Sequence, residues 1–520
     1  MSGRILVLGD PIISLGKEAL IHDGALIAEG NRISAVGNRK DLELLGPFSE
    51  VIGGPDSIVM PGFINCHYHS ELAGGPGLYQ YIFEIANVYV QGGYGPIGEE
   101  DLHDLILLGL VAAIKGGQTA TLDMYYGRPA LPLFGTVPAL EAYRTIGMRT
   151  AFGLVSRDQN LYVHQPNDEF LKDLPADLVG EIQKSPMGYA WPIADVMNAY
   201  DTLVRDWDGR HGRFRIVLAP DWTPACSDDL YKLCRRKADE DGTGIVSHVL
   251  ETRSEMMWNL ETYGMPALQR LNNLGVLAPD MTCTHFVWVT DEELSIFADS
   301  GAVASNNPGS NLRLSAGICR TRDIMATGGR VAFGTDGISF SDSEDMFTEL
   351  RLACYLQRFP RDFDVVRLDS EEVFRAAAVN GARAIRQEEG LGSLTEGKLA
   401  DLLVVDSRRI LFPPGRYDSE PLLNVILDRA QAVDLRHVMI DGEVVMRDRA
   451  ITTIDEQALM DRVAEAVDKR VYRLSPEVKR WLELGDAVMP NVVDFYKRWY
   501  SVPVEPAHDY NARRVLRERS

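Results

Sequence analysis

The chain has 520 residues, of which 45% are hydrophobic and 25% charged, so it can bury a large core and is not disordered as a whole. Its formal net charge of -22 would repel a nucleic-acid backbone, and no basic patch interrupts this acidity, so no nucleic-acid partner is expected. No apolar run approaches the ~18 residues that a membrane span needs, and the N-terminus lacks a signal core, so we expect neither membrane insertion nor export.

The six cysteines are scattered through the chain without a Cys-x-x-Cys pair or a compact framework. This spacing is typical of reduced thiols and not of disulfides or a cysteine metal site. The sequence therefore predicts a cytoplasmic protein.

Both ends of the chain carry short alternating strands that are separated by turn residues. Residues 1–59 contain ILVLGDPII, ALIHDGALIAEG and NRISAVGN, and the pattern returns in GSLTEGKLADLLVVD and HVMIDGEVVMRD. Asp441 and Gly442 within the last run are a strong hairpin signal. We therefore predict that residues 1–59 and 391–455 form one small β-sandwich domain.

Between these ends, short apolar runs alternate with helical patterns from residue 60 to residue 390. The runs include GQTATLDMYY, MRTAFGLV, FRIVLAP, MTCTH and RVAFGTDG, and a capping box at Thr290 follows one of them. Alternation on this scale is typical of parallel strands joined by crossover helices. The interpretation is an α/β fold, a (β/α)8 TIM-type barrel, over residues 60–390.

The remaining residues, 456–520, mix a helical pattern with aromatic residues and prolines. We predict a C-terminal helical extension that supports packing or assembly and not the chemical step. Its aromatic residues could pack on their own domain or cover a neighbouring subunit, and a homodimer or higher homo-oligomer is expected.

Histidines and acids stand where the predicted barrel strands end. His67 and His69 alternate on one strand and so share a face, although such a pair alone is a weak metal signal. His248 and His285 each close an apolar run, and Asp336 follows another. Catalytic groups in (β/α) barrels gather at the carboxyl ends of the strands, so this pattern predicts an active site there.

These motifs resemble those of the amidohydrolase superfamily. The ordered matches are VMPGFINCHYHS, SHVLETRSEM, THFVWVTDEEL, NNPGSNLRLSAGI and VAFGTDG, and they extend over nearly everything except the final sixty residues. The chain is most similar to the branch that includes triazine hydrolases, S-adenosylhomocysteine deaminases and cytosine deaminase-like enzymes.

The resemblance implies a set of metal ligands and of catalytic groups. The metal ligands would be His67, His69, His248 and Asp336, and the catalytic groups Glu251, His285 and Asp336. Three imidazoles and a carboxylate suit zinc, with Fe2+ as the alternative. Binuclear relatives use a carboxylated lysine on the fourth strand, and FRIVLAPDW has no lysine, so we expect one divalent metal ion per chain.

The chain departs from the family pattern where a small-molecule substrate would be selected. The fourth-strand motif usually contains Pro-His, and here Asp221 follows the proline. The usual His-Asn-Pro begins with Asn306, while Asn311 downstream is retained. We predict that these three residues bind substrate; the alternative for Asp221 is that it caps the chain near Thr223 and does not meet substrate.

The resemblance implies hydrolytic deamination, or related release of an amine, from a nitrogen heterocycle. Asp336 would accept or steer the proton of the activated water, Glu251 would relay it to a ring or leaving-group nitrogen, and His285 would polarise the attacked group. The alternative is amide or aryl-urea hydrolysis on the same metal. A non-catalytic binding module is a third interpretation, but such modules usually lose ligands.

Overall fold

A computed structural model of the chain describes residues 3–74, 81–91, 98–127, 135–185, 187, 191–341, 343–358, 368–466 and 476–505. Within these ranges, no helix combines the length and the apolar character that crossing a membrane requires. All six cysteines lie in this part of the chain, and each is a buried free thiol.

The strands are numbered in chain order and form three sheets. They are β1 Arg4–Gly9, β2 Ile12–Ile13, β3 Leu20–Ile21, β4 Gly24–Glu29, β5 Arg32–Asn38, β6 Glu50–Gly53, β7 Ser57–Pro61, β8 Phe63–Tyr68, β9 Gln118–Tyr125, β10 Arg149–Ser156, β11 Phe214–Pro220, β12 Ile245–Val249, β13 Met281–His285, β14 Val303–Asn306, β15 Arg330–Phe333, β16 Leu402–Asp406, β17 Leu435–Ile440, β18 Glu443–Arg447 and β19 Ala450–Ile451.

Helices occupy much of the rest of the described chain. The α-helices are Arg39–Glu43, Phe83–Gln91, Glu99–Lys115, Val137–Ile146, Asn167–Lys172, Ala176–Lys184, Ile193–Trp207, Asp228–Asp241, Arg253–Tyr263, Ala267–Asn273, Asp291–Ser300, Pro308–Arg313, Thr321–Ala326, Ile338–Ser341, Met346–Tyr355, Ser370–Arg375, Gly381–Ala384, Ser419–Arg429, Glu456–Ala466 and Pro476–Tyr500.

Two of the sheets join the ends of the chain into a β-sandwich. One has the order β5-β4-β1-β6 and the other β19-β18-β17-β16-β7-β2-β3. β16 pairs antiparallel with β7, so that Leu402 lies opposite Pro61. Asp441 and Gly442 form the turn between β17 and β18, and both have positive φ, as a two-residue hairpin requires. The predicted sandwich is confirmed.

The third sheet is the barrel. Its eight strands run in the order β8 to β15, and every neighbouring pair is parallel. The segment after the last strand meets the first strand through three hydrogen bonds. The amide of Asp336 donates to the carbonyl of His67 at 2.9 Å, the amide of Thr335 donates to Asn65 Oδ1 at 3.1 Å, and Asn65 Nδ2 donates to Thr335 Oγ1 at 2.8 Å. The (β/α)8 barrel is therefore confirmed, while the exact domain boundaries at residues 59, 390 and 455 stay predictions.

The C-terminal helix, Pro476–Tyr500, packs on the barrel's own side chains. Its apolar residues Val488, Val492 and Trp499 share a buried cluster with Val88 and Trp258. Val88 belongs to the helix Phe83–Gln91, which we call the cleft helix because it borders the site described below. Two roles were left open for this extension, packing on its own domain and covering a neighbouring subunit. The described helix packs against its own chain.

Candidate active site

The predicted metal ligands meet at the carboxyl ends of the barrel strands. His67 lies on β8, His69 follows that strand, and His248 lies on β12. His285 is the last residue of β13, and Asp336 lies three residues beyond β15. All five side chains are buried. Parallel strands bring their carboxyl ends to one face of the barrel, which is why residues so far apart in sequence come together.

The distances within this cluster are those of side chains that face one point. Nε2 of His67 lies 3.0 Å and Nε2 of His69 lies 3.3 Å from Asp336 Oδ1. Nε2 of His248 lies 3.4 Å from Nε2 of His69. Two overlapping triads each have ligand atoms within 4.8 Å of one another. One is His67, His69 and Asp336, and the other is His67, His248 and His285. The structure thus brings together the predicted ligands and adds His285 beside them.

The protonation of two of the imidazoles, those of His67 and His69, suits metal binding. Burial lowers the pKa of His67 well below its usual value and that of His69 to about 4, so both rings are neutral and their lone pairs are available. Neither ring nitrogen of His67 hydrogen-bonds to a described residue. Nδ1 of His69 donates to the carbonyl of Met124 at 2.6 Å, and Nδ1 of His248 to that of Asp221 at 2.8 Å, which leaves each Nε2 toward the cluster. The residues present fit a divalent metal ion.

Backbone strain is concentrated around this cluster. His285 and Asp336 have φ values of +68° and +66°, and Leu250, which precedes Glu251, has +56°. The left-handed region is unfavourable for residues with side chains and persists where surrounding contacts enforce it. Gly334 shows how close these contacts are, because a Cβ atom there would lie 2.8 Å from the backbone nitrogen of His67. The strained backbone turns His285 and Asp336 into the barrel mouth.

Glu251 differs from Asp221 and Asp336 in having no hydrogen-bonded side-chain oxygen within the described part of the chain. It lies between β12 and the helix Arg253–Tyr263 and is 1% exposed, yet neither carboxylate oxygen hydrogen-bonds to a described residue. Burial first, and then the charge of Asp336, raise its pKa well above the usual value. Its Oε1 lies 3.8 Å from Nδ1 of His285. Glu251 can therefore hold a proton at the edge of the cluster.

Asn311 and Asn306 support His285 from behind. Nδ1 of His285 lies 2.9 Å from Asn311 Oδ1, and Nδ2 of Asn311 donates to Asn306 Oδ1 at 3.2 Å. Asn306 in turn donates to Thr321 Oγ1 at 2.9 Å. Neither asparagine is among the described residues that line the cleft. Their direct contact with substrate stays a prediction, and the structure places them where they orient His285.

Asp221 lines the cleft but already has three protein partners. Its Oδ1 accepts from Tyr126 at 2.8 Å and lies 3.1 Å from Nδ1 of His248, and its Oδ2 pairs with Arg157. Burial alone would raise the pKa of this carboxyl, but the Arg157 guanidinium and His248 hold it well below its usual range. Asp221 is therefore a permanent anion that also orients a proposed metal ligand.

Comparison with known proteins agrees with this arrangement. The model of the Amidohydrolase family matches residues 58–445. The chain belongs to the amidohydrolase family. The predicted resemblance is therefore confirmed.

Relatives and solved structures cover this amidohydrolase almost completely. The 5′-deoxyadenosine deaminase of Methanosarcina barkeri is 27% identical over 88% of this chain and 96% of its own. The 5-methylthioadenosine/S-adenosylhomocysteine deaminase of Caldanaerobacter subterraneus subsp. tengcongensis is 27% identical over 91% and 98%. A zinc-bound adenosine deaminase from Xanthomonas campestris shares the fold, with a TM-score of 0.76 and 23% identity over 89% and 98%. So does atrazine chlorohydrolase of Arthrobacter aurescens TC1 complexed with zinc, with a TM-score of 0.75 and 21% identity over 89% and 100%.

Tyr126 and Arg157 are among the polar residues lining the cleft of this amidohydrolase that sequence reasoning missed. The guanidinium carbon of Arg157 lies 5.3 Å from the centre of the Tyr126 ring. Each residue directly follows a barrel strand, Tyr126 after β9 and Arg157 after β10. The same strand-end signal that identified the histidines could have found both.

Proposed function

We propose that this amidohydrolase removes an amino group hydrolytically from a nitrogen heterocycle of the adenine-nucleoside class. The observation that carries the proposal is the unpartnered, buried Glu251 beside the histidine cluster. A carboxyl group with a raised pKa can give a proton to a ring nitrogen, as deamination of a nitrogen heterocycle requires. The names of the relatives support the substrate class, since they are deaminases of modified adenosines.

We propose that His67, His69, His248 and Asp336 hold one divalent metal ion, with zinc favoured over Fe2+. Such an ion supplies Lewis acidity, which lowers the pKa of water to about 7. The donor set of three imidazoles and one carboxylate supports zinc, and β11 has no lysine that could bridge a second ion.

The protein's own groups would then move the protons. Asp336 would take the proton that water loses as its oxygen adds to the amino-bearing carbon, and Glu251 would give its proton to the adjacent ring nitrogen. Asp336 would then pass its proton to the amino group, which leaves as ammonia, while the proton of the added hydroxyl returns to Glu251 as the carbonyl forms. With Nδ1 donating to Asn311, His285 would present Nε2 as an acceptor that orients the attacking water.

A screen of amino-substituted purine nucleosides tests the proposal. We expect release of ammonia together with a product in which a carbonyl replaces the ring amino group, detected by mass spectrometry. N-acyl compounds and aryl ureas should remain intact. Turnover of those compounds with ring amino groups untouched would favour amide or urea hydrolysis and contradict the proposal. A cytoplasmic location and a homo-oligomer stay predictions from the sequence.

Replacing Asp221 with asparagine should lower kcat/KM by about tenfold or more, the value of one charge-assisted hydrogen bond of ~1.5 to 3 kcal/mol. The change keeps the shape but leaves Arg157 without its counter-charge at the cleft wall. The metal content should not change, because His248 still donates to the backbone carbonyl of residue 221.

Kinetics and elemental analysis of this variant are the measurements. Asp206→Asn is a charge-matched control, since Asp206 is exposed and pairs with Arg205 far from the cleft. Unchanged kinetics in Asp221→Asn would show that the carboxylate has only a structural role.

A further inference from the structure

A chain of hydrogen bonds, buried except at its Tyr500 end, connects the C-terminal helix to the wall of the active site. It begins at Tyr496 and Tyr500, which are four residues apart and therefore share a face of that helix. The Tyr500 hydroxyl donates to Glu84 Oε1 at 2.7 Å, and the Tyr496 hydroxyl lies 3.2 Å from His164 Nδ1. Glu84 belongs to the cleft helix.

The two branches meet at Ser254. Its hydroxyl donates to Glu84 Oε1 at 2.6 Å and lies 3.1 Å from His164 Nε2. Since Ser254 gives its proton to Glu84, it accepts from His164, and His164 Nδ1 accepts from Tyr496. Glu84, His164, Ser254 and Tyr496 are all buried, so the hydrogen bonds among them are shielded from water. Tyr500 is 36% exposed, and its bond to Glu84 is at the partly buried edge of the network.

This network lies directly behind the cleft. Phe83 and Asn87, which lie one residue before and three residues after Glu84 on the cleft helix, line the site. The Ser254 hydroxyl also lies 2.8 Å from that of Thr252, the residue that follows Glu251 and caps the next helix. The network therefore reaches both a wall of the cleft and the segment that carries the proposed proton donor.

We propose that the C-terminal helix positions the cleft helix, through Tyr500 and Glu84, and so determines how tightly substrate is held. A buried carboxylate that loses a donor becomes less well satisfied, and the helix that carries it is less firmly held. Tyr500 is a positioning residue, because the described part of the C-terminal helix lies behind the cleft wall and contributes no residue to the lining of the cleft. Binding should depend on it more than the chemical step does.

Tyr500→Phe tests this inference because it removes the hydroxyl and keeps the ring. We expect KM to rise about tenfold, with kcat within threefold of the unchanged enzyme. Backbone amides of residues 83–91 should exchange hydrogen faster in the variant. Tyr496→Phe should have a smaller effect in the same direction, because His164 and Ser254 stand between Tyr496 and Glu84.

Tyr89→Phe is the matched control. It removes the 2.6 Å hydrogen bond from Tyr89 to Asp486, which joins the same two helices but does not contact Glu84, Ser254 or His164. Its KM and hydrogen exchange should stay within twofold of those of the unchanged enzyme. An unchanged KM in Tyr500→Phe, or an equal rise in both variants, would overturn the inference.

The expected change in KM rests on the proposed function, whereas the expected change in backbone hydrogen exchange does not. If no amino-heterocycle is turned over, the proposed function fails and exchange in residues 83–91 still tests the network. If turnover occurs and Tyr500→Phe changes neither KM nor exchange, only this inference fails.

Discussion

Replacing Glu251 with glutamine should lower kcat by about a hundredfold to ten-thousandfold, the usual contribution of a general acid or base. Glutamine has nearly the same shape but cannot transfer a proton. Since burial already raises the pKa of this carboxyl, removing its charge should not lower the free energy of unfolding. Steady-state kinetics and elemental analysis should show a large loss of kcat with the metal content unchanged.

Glu293→Gln is the matched control for this change. Glu293 is also fully buried, but it serves the capping box at Thr290, a role that glutamine also performs. Its kcat should stay within about twofold of the unchanged enzyme. A Glu251→Gln enzyme with nearly full kcat would show that the proton comes from another group and would remove the main support for deamination.

Replacing His67 with alanine should remove both the metal and the activity. The unchanged protein should carry about one divalent ion per chain, and the variant should carry none and react at the background rate. A histidine that served only packing would instead cost stability while the metal stayed bound. Elemental analysis of the purified proteins is the measurement, and two ions per unchanged chain would contradict the single site.

His103→Ala and chelation complete this test. His103 lies on the helix Glu99–Lys115, away from the cluster, so its loss should leave metal and activity intact. A chelator should inactivate the unchanged protein, and added Zn2+ should restore it. The same addition should not restore His67→Ala, because the ligand itself is missing.

The sequence by itself determined the fold class and the place where the histidines and Asp336 come together. Alternation along a strand placed His67 and His69 on one face, and the rule that barrel sites lie at strand ends placed His248, His285 and Asp336 with them. These inferences succeeded because they depend on local periodicity and on a property common to all parallel barrels. Neither requires knowing which strand neighbours which.

Only the tertiary structure decided what those residues touch. Asp221 was predicted to meet substrate, but it lies between His248, Tyr126 and Arg157, which come from three other strand ends. Tyr500 and Glu84 are 416 residues apart, and no periodicity links them. Such contacts depend on how whole elements pack, and the packing of one helix on another is set by many side chains at once. That is why the sequence could identify the chemistry of the site but not the residues that hold its walls in place.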